Sequence, residues 1–387
     1  MEFVKPGTYI DFMRHRRVVV GTSLLLVLAS AISVFYPGPN YGIDFRGGTE
    51  LQLTFGGDVS PADLRGTLQG LGYRRPDVVS VEGAQNEYIV RVREVSSLPA
   101  DTAASVEENI GTALGSVEVR RLEFEPGDRD EDTGRIAAFK IELDLSGPLD
   151  PELIEAGLED LGVPVRSVNQ TGREQDHKYE AHLEGLGDEI VRQLRQEMGE
   201  TGPEAPRRVE WVGPKAGAQL RDAAVKSLLY AIAFIMVYVA FRFDLRFAPG
   251  GVLAMAHDVI ITVGIYVLVQ KEFNLTTIAA LLTILGYSIN DTIVVFDRIR
   301  ENMGRMRDKN LFDLINISTS QMLSRTIVTS GTTLLSVSAF FIWGTGVIRD
   351  IAFALFIGIL IGTYSSVYIA APVTEWMDRK FFNRSRR

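Results

Sequence analysis

Apolar positions follow two different rhythms along this chain. From Val18 to Tyr36, and in five stretches near 223–241, 249–270, 274–296, 325–343 and 350–373, they run almost unbroken. Each run holds about 18–24 residues, enough at ~1.5 Å per residue to cross a ~30 Å hydrocarbon core. No strand-like alternation passes through them, so six membrane-spanning helices are expected. The first follows Arg14-His15-Arg16-Arg17, as in a signal segment. It is long for one, however, and Tyr36-Pro37-Gly38 is no small-residue cleavage site, so it reads as an uncleaved span.

Between the first and second spans the rhythm changes to short alternating segments. Thr49–Phe55 alternates as a strand, and Ser60-Pro61 opens a helix with an N-cap followed by proline in the first turn. Strands at 77–83 and 87–93, a helix at 101–115 and a strand at 117–124 complete β-α-β-β-α-β. Glu125–Gly134, rich in acids, reads as a solvated linker. The pattern then recurs: strand 137–145, a helix from Asp150-Pro151 to Leu161-Gly162, strands 164–170 and 178–183, helix 186–199 and strand 207–212. The first helix of each set ends alike, "LQGLGY" against "LEDLGV".

The expected fold class is therefore an α-helical polytopic membrane protein with six spans and an extracytoplasmic α+β region of two tandem ferredoxin-like βαββαβ units. The expected divisions are an N-terminal segment 1–17, span one at 18–36, a first unit with its linker at 37–134 and a second unit at 135–222. A bundle of spans two to six at 223–373 and a basic tail at 374–387 follow.

Composition explains why the averages fit no single class. Mean hydropathy is +0.10 with 23% charged residues, because a charged block and an apolar bundle are summed. Residues 37–222 hold roughly 36 acids against 20 bases, and the remainder roughly 13 against 20. Basic residues cluster in alternate connections. Lys5, Arg14, Arg16 and Arg17 precede span one, Arg242 and Arg246 follow span two, and Arg298, Arg300, Arg305, Arg307 and Lys309 follow span four. Arg379, Lys380, Arg384, Arg386 and Arg387 follow span six, while the other two loops carry only Lys271 and Arg349. This places both termini in the cytoplasm and the acidic block outside.

The chemistry of bond-breaking enzymes is missing from the sequence. There is no cysteine, hence no disulfide and no thiolate ligand. The four histidines stand apart without metal spacing, and neither a GxxxxGK[ST] loop nor a nucleophile elbow occurs. No enzyme, cofactor, metal or nucleic-acid partner is expected; the lipid bilayer is.

The spans themselves are not bland. Span three contains His257-Asp258, span four Asn290-Asp291, and span five begins at Arg325. Ionisable groups at such depths cost at least ~2.5 kcal/mol each on insertion scales and are normally paired, wet or functional. Asp258 falls ~12 Å into the membrane and Asp291 ~8 Å above its inner face, near the height of Arg325. A carboxylate so placed feels opposed influences from burial and from the cation, a balance suited to taking up and releasing protons as helices move. Structural polar pairing is the plainer alternative. His257 either shares the proton or bonds a backbone carbonyl. Asp297, Arg298, Arg300 and Glu301 read as a solvated helix end. Gly358 and Gly362 form a GxxxG that permits close helix contact, whether sliding or static. In Tyr41–Thr49, Gly42, Gly47 and Gly48 supply backbone freedom for a tight turn from membrane to sheet, and Asp44 can cap nearby amides.

Five segments together resemble the SecF family: "YGIDFRGGT" at 41–49, "VGPKAG" at 212–217, "RFDLRFAPGGVLAMAHD" at 242–258, "FNLTTIAALLTILGYSINDTIVVFDRIREN" at 273–302 and "SRTIVTSGTTLL" at 324–335. The resemblance implies a six-helix half of the resistance-nodulation-division superfamily, paired pseudo-symmetrically with SecD. It further implies service to the SecYEG translocon and its accessory membrane proteins, with an unfolded preprotein as substrate and the proton-motive force as drive. Asp291 and Arg325 match the family's charged pair in proton passage, with Asn290 beside it, and Asp258, next to His257, matches another polar position. The coupling ion is H⁺ or Na⁺. Such a family has one outer ferredoxin-like unit where two are read here. A small-molecule transporter half and a passive scaffold are the rival readings. The lone outer domain and chain length oppose the first, and harmless neutral changes at Asp291 and Arg325 would favour the second.

Overall fold

The computed structural model describes residues 8–73, 76–81, 84–115, 117–129, 135–173, 176–243 and 245–382. Lys5, Arg384, Arg386, Arg387 and the second half of the expected linker, 130–134, lie outside the described residues, as do positions 82 and 83 of the expected strand 77–83. In chain order the elements are α1 (Arg16–Phe35), β1 (Asn40–Tyr41), α2 (Ile43–Arg46), β2 (Gly48–Thr54), α3 (Pro61–Gly70), β3 (Asp77–Ser80), β4 (Glu87–Val92), β5 (Ser97–Leu98) and α4 (Ala100–Ala113). Then come β6 (Val119–Arg129), β7 (Ile136–Leu145), α5 (Pro151–Asp160), β8 (Val165–Thr171), β9 (Lys178–Leu183), α6 (Leu186–Met198) and β10 (Arg208–Val212). The chain continues as α7 (Pro214–Arg242), α8 (Ala248–Leu268), β11 (Glu272–Phe273), α9 (Leu275–Arg305), α10 (Leu311–Trp343), α11 (Gly346–Ser365) and α12 (Ala371–Met377). Two compact units result, Met1–Gly42 with Arg221–Arg387, and Ile43–Leu220.

Among the described residues six helices are long and apolar enough to span a membrane: Phe12–Phe35, Lys215–Arg242, Ala248–Leu268, Leu275–Arg305, Leu311–Trp343 and Gly346–Phe382. The fifth begins fourteen residues before the expected Arg325. Its first half carries Asn316, Ser318, Thr319 and Ser320, which lower its hydropathy, yet all four are buried. Asn316 accepts from the Met13 amide and donates to Asp11, and Ser318 accepts from Asn302. Partners for three of the four, all but Thr319, let the helix continue where hydropathy alone would end it. On the opposite end of the bundle β1 and β11 pair in parallel, Asn40 with Glu272 and Tyr41 with Phe273.

The α+β unit contains two four-stranded cores, but they are nested rather than tandem. The first sheet runs β10-β2-β4-β3. With α3 and α6 this is a ferredoxin-like βαββαβ whose last helix and strand arrive some ninety residues after β4. Its interior joins Leu51, Leu53, Val90 and Leu64 to Ile190 and Leu194 of α6. The second sheet runs β6-β7-β9-β8, with β5 also on β7. Its core of Ile141, Leu143, Ile154, Leu158, Val106 and Ile110 lies within residues 98–183. Taken from β7 it has the same strand order, with the α4–β6 pair placed in front: a circular permutation.

The expected divisions 37–134 and 135–222 thus assign each trailing helix–strand pair to the wrong sheet. β6 turns back directly on β7, Phe124 opposite Ile141, while β10 crosses to β2, Trp211 opposite Thr49. The linker reading changes as well, since 125–129 belongs to β6. The shared helix endings do mark equivalent places, because α3 and α5 are each the first helix of their unit. Ser60 caps α3 and Asp150 caps α5, each followed by proline, and Gly72 and Gly162 both take positive φ after the helix. The insertion leaves and returns at one point, where the Leu186 amide donates to Ser96 Oγ at 2.7 Å.

Candidate functional site

Small residues bring the helices carrying the intramembrane charges together. A Cβ at Gly358 would collide with Ile284, and one at Gly362 would lie 3.0 Å from Ser288 Cβ. The GxxxG of α11 therefore seats α9 at close range. Gly264 of α8 lies in the same way against Ser30 of α1, and Ser33 Oγ donates to the Gly264 carbonyl. These approaches define two seams along α8, one facing α9 and α11, the other facing α1 and α11.

Asp258 is fully buried in the first seam. Its Oδ2 accepts from Ser288 Oγ of α9 and from Ser365 Oγ of α11 at 2.8 Å, and its Oδ1 lies 2.9 Å from His257 Nδ1. His257, next in sequence, points about 100° away around the helix, into the second seam. It is buried there beside the Tyr364 ring, centroids 6.3 Å apart. Tyr364 OH in turn meets Ser23 Oγ of α1 at 2.8 Å. His257 Nε2 is buried and has no hydrogen-bond partner.

Asp291 lies on α9 three residues beyond Ser288, hence on the same face, and is buried. Ser330 Oγ of α10 donates to its Oδ2 at 3.1 Å, and Thr363 Oγ1 of α11 donates to Ser330 Oγ at 2.9 Å. Four helices, α8 to α11, so join two carboxylates to a band of hydroxyls.

Not every expected residue is brought here. Arg325 is exposed on α10, five residues and ~7.5 Å of rise before Ser330, and no ion pair within 4.0 Å joins it to Asp291. Its charge reaches Asp291 only through space. Asn290 is exposed, since one step along α9 turns it off the face that carries Asp291. Asp297 pairs with Arg242 and Arg298 with Glu301, in keeping with a solvated helix end.

Ser288, Ser330, Thr363, Tyr364 and Ser365 were missed in the sequence. The signal was there: Ser288 stands one turn before Asp291, and "GTYSS" at 362–366 interrupts an apolar span. At the upstream junction, Gly47 and Gly48 have φ of 75° and 130°, as a tight turn requires. Gly42 serves another purpose, with a Cβ there striking Glu272 while its amide bonds the Phe273 carbonyl at 2.8 Å. Asp44 lies in the first turn of α2. Gly217 of "VGPKAG" packs on the backbone of Phe45–Gly47, so the two junction motifs meet, a Cβ there lying 2.9 Å from the Gly47 nitrogen.

The family described as protein export membrane protein SecD/SecF, C-terminal, matches residues 193–380, and the SecD/SecF GG motif matches 32–59. The chain is 34% identical to the protein translocase subunit SecF of Koribacter versatilis, across 97% of this chain and 94% of that one. It is 35% identical to the protein translocase subunit SecDF of Thermus thermophilus, across 96% of this chain and 39% of that one. The crystal structure of SecDF from that organism, described as a translocon-associated membrane protein, superposes with a TM-score of 0.65 at 32% identity. It covers 97% of this chain and 39% of its own length. By fold and by likeness over nearly its full length, the chain belongs to the SecF family of protein translocase subunits, multi-pass membrane proteins of protein export rather than enzymes.

Proposed function

We infer that the chain couples the proton-motive force to Sec-dependent preprotein translocation. The observation that carries this reading is the pair of buried carboxylates, Asp258 and Asp291, held by serine hydroxyls with no cation in contact with Asp291 among the described residues. Hydroxyls both donate and accept, so they can hold a carboxylate in either protonation state. A carboxylate neutralised by a metal or a contacting arginine has no such freedom. Protonation of Asp291, with Arg325 acting on it through space, changes the charge between α9, α10 and α11. Gly358 and Gly362 hold α11 close against α9, so altered packing there drives movement of the outer unit.

The Thermus relative, which carries this region as 39% of a single SecDF chain, supports SecD as the partner supplying the other half. The description of its crystal structure supports contact with the translocon, SecYEG. The distribution of Lys and Arg supports cytoplasmic termini and an extracytoplasmic α+β unit in the cytoplasmic membrane, where that unit meets the emerging preprotein.

The test arrests a preprotein midway in vesicles that hold translocon, SecD and this chain, removes ATP and imposes a proton gradient. The native chain should advance the substrate and Asp291→Asn should not. Equal advance by both would remove Asp291 from the coupling path. Advance under a Na⁺ gradient alone would change the ion and keep the site.

A further inference from the structure

Adjacent residues of α8 hold an imidazole and a carboxylate in different seams, and their hydrogen bonds are unequal. Asp258 receives two hydroxyls on Oδ2, leaving Oδ1 to His257 Nδ1 at 2.9 Å. Neutral imidazole carries one hydrogen, and with the carboxylate as acceptor that hydrogen stays on Nδ1. Nε2 then presents a lone pair into the α1–α8–α11 seam, where it is buried with no partner. A buried acceptor left unmade costs about 1–3 kcal/mol, so its persistence calls for a reason. An arriving proton supplies one, since it would add to Nε2 and leave a buried imidazolium already in contact with its counter-ion.

We propose that His257 Nε2 is a second proton-carrying site of this bundle, distinct from Asp291, with Asp258 as the positioning residue that fixes the imidazole tautomer and balances its charge. The proposal rests on the proton-coupled reading above. Proton balance is simple: one proton adds to the Nε2 lone pair and leaves from the same atom, and no covalent bond changes. Among the described residues, the titratable groups facing His257 are Asp258 on its own helix and Tyr364 on α11. Ser23 of α1 reaches it through Tyr364, and Ser288 of α9 reaches it through Asp258. Asp291 stands one turn beyond Ser288. His257 is therefore the station on the α1 side and Asp291 the station on the α10 side of one polar band.

The test uses the full chain assembled with SecD in lipid vesicles. His257→Asn keeps an amide N–H near the place of Nδ1 but carries no proton, and should lower gradient-driven preprotein advance more than about tenfold. If His257→Asn is silent while Asp291→Asn abolishes the advance, His257 is structural and this inference fails alone. If both are silent, proton coupling through the bundle fails with it. A second measurement holds even where the variant does not assemble. With ¹⁵N-histidine in this chain alone, assembled with unlabelled SecD, only four imidazoles report, and His257 should be Nδ1–H when neutral and doubly protonated as pH falls. An Nε2–H tautomer, or an imidazole that stays neutral throughout the working pH range, would overturn the proposal. Asp258→Asn should abolish the fixed tautomer, which a merely space-filling aspartate would not do.

Discussion

At the scale of single residues, the site depends on hydroxyls that satisfy buried carboxylates. Ser288 donates to Asp258 from across a helix seam, so Ser288→Ala leaves Asp258 Oδ2 with one donor fewer in a place water does not reach. The expected cost is about 1–3 kcal/mol, read as a lower melting temperature of the lipid-embedded complex, with Ser288→Thr largely restoring it. In the α+β unit the charges behave differently. Lys140 gathers Glu125, Glu142 and Glu180 at 2.7, 2.8 and 3.2 Å. Hydrogen bonds that Lys140 donates to Glu125 and then to Glu142 raise its ammonium, and the hydrogen bond accepted from Lys140 lowers the Glu142 carboxyl. A lowered carboxyl contributes stability above its unfolded value that is lost as pH falls through the folded one. Protection of β7 amides from hydrogen exchange should therefore weaken on acidification below about pH 4, and Glu142→Gln should flatten that dependence. A raised lysine is lost on the other side, as pH rises beyond its unfolded value. Asp258, Asp291 and His257 were legible from the sequence because charge inside an apolar run needs a reason. Their partners were not, because a serine in a span looks the same whether it bonds a carboxylate or its own helix carbonyl.

At the scale of elements, glycine placement decides which helices touch. Gly358 and Gly362 were visible as GxxxG, but only the packing shows that they face α9 at Ile284 and Ser288, directly beside the Asp258 site. Gly358→Leu would force α11 from α9 and draw Ser365 away from Asp258. Overpacking of this kind costs typically about 1–3 kcal/mol. The measurement is paired: melting of the complex should fall modestly, while gradient-driven advance should fall much further. Equal losses would mean that the contact only holds the bundle together. The fifth span taught the opposite lesson. Its polar first half looked like a loop to a hydropathy window, and it is helix because Asn316, Ser318 and Ser320 find partners in other segments.

At the scale of the whole molecule, the nesting of one ferredoxin-like core inside another makes a prediction that a tandem arrangement reverses. Ser96 and Leu186 are hydrogen-bonded neighbours, so removing 97–184 and joining Ser96 to Gly185 closes a gap that is already closed. The shortened chain should keep β10 paired with β2 and should still assemble with SecD. Removing 135–222 instead would strip α6 and β10 from the first sheet and expose Leu51, Leu53 and Leu64, which are fully buried in the native fold. That chain should be degraded, and pulse-chase stability of the two deletions compares them directly. If the chain lacking 97–184 is the less stable, the two cores are not separable in this way.

The sequence by itself determined the six spans, the placement of charge between their connections, the identity of nearly every strand and helix in the α+β unit, and the ionisable residues that lie inside the spans. These are local properties: an apolar run, an alternation, a cap, a buried charge. The tertiary structure decided what touches what. It assigned α6 and β10 to the first sheet, turned Asn290 off the Asp291 face, left Arg325 without a contact to Asp291, and put His257 and Asp258 into separate seams. Each of these depends on pairing between positions far apart in the chain. Strand pairing and helix facing are chosen by the summed burial of whole faces, and no local window contains both partners.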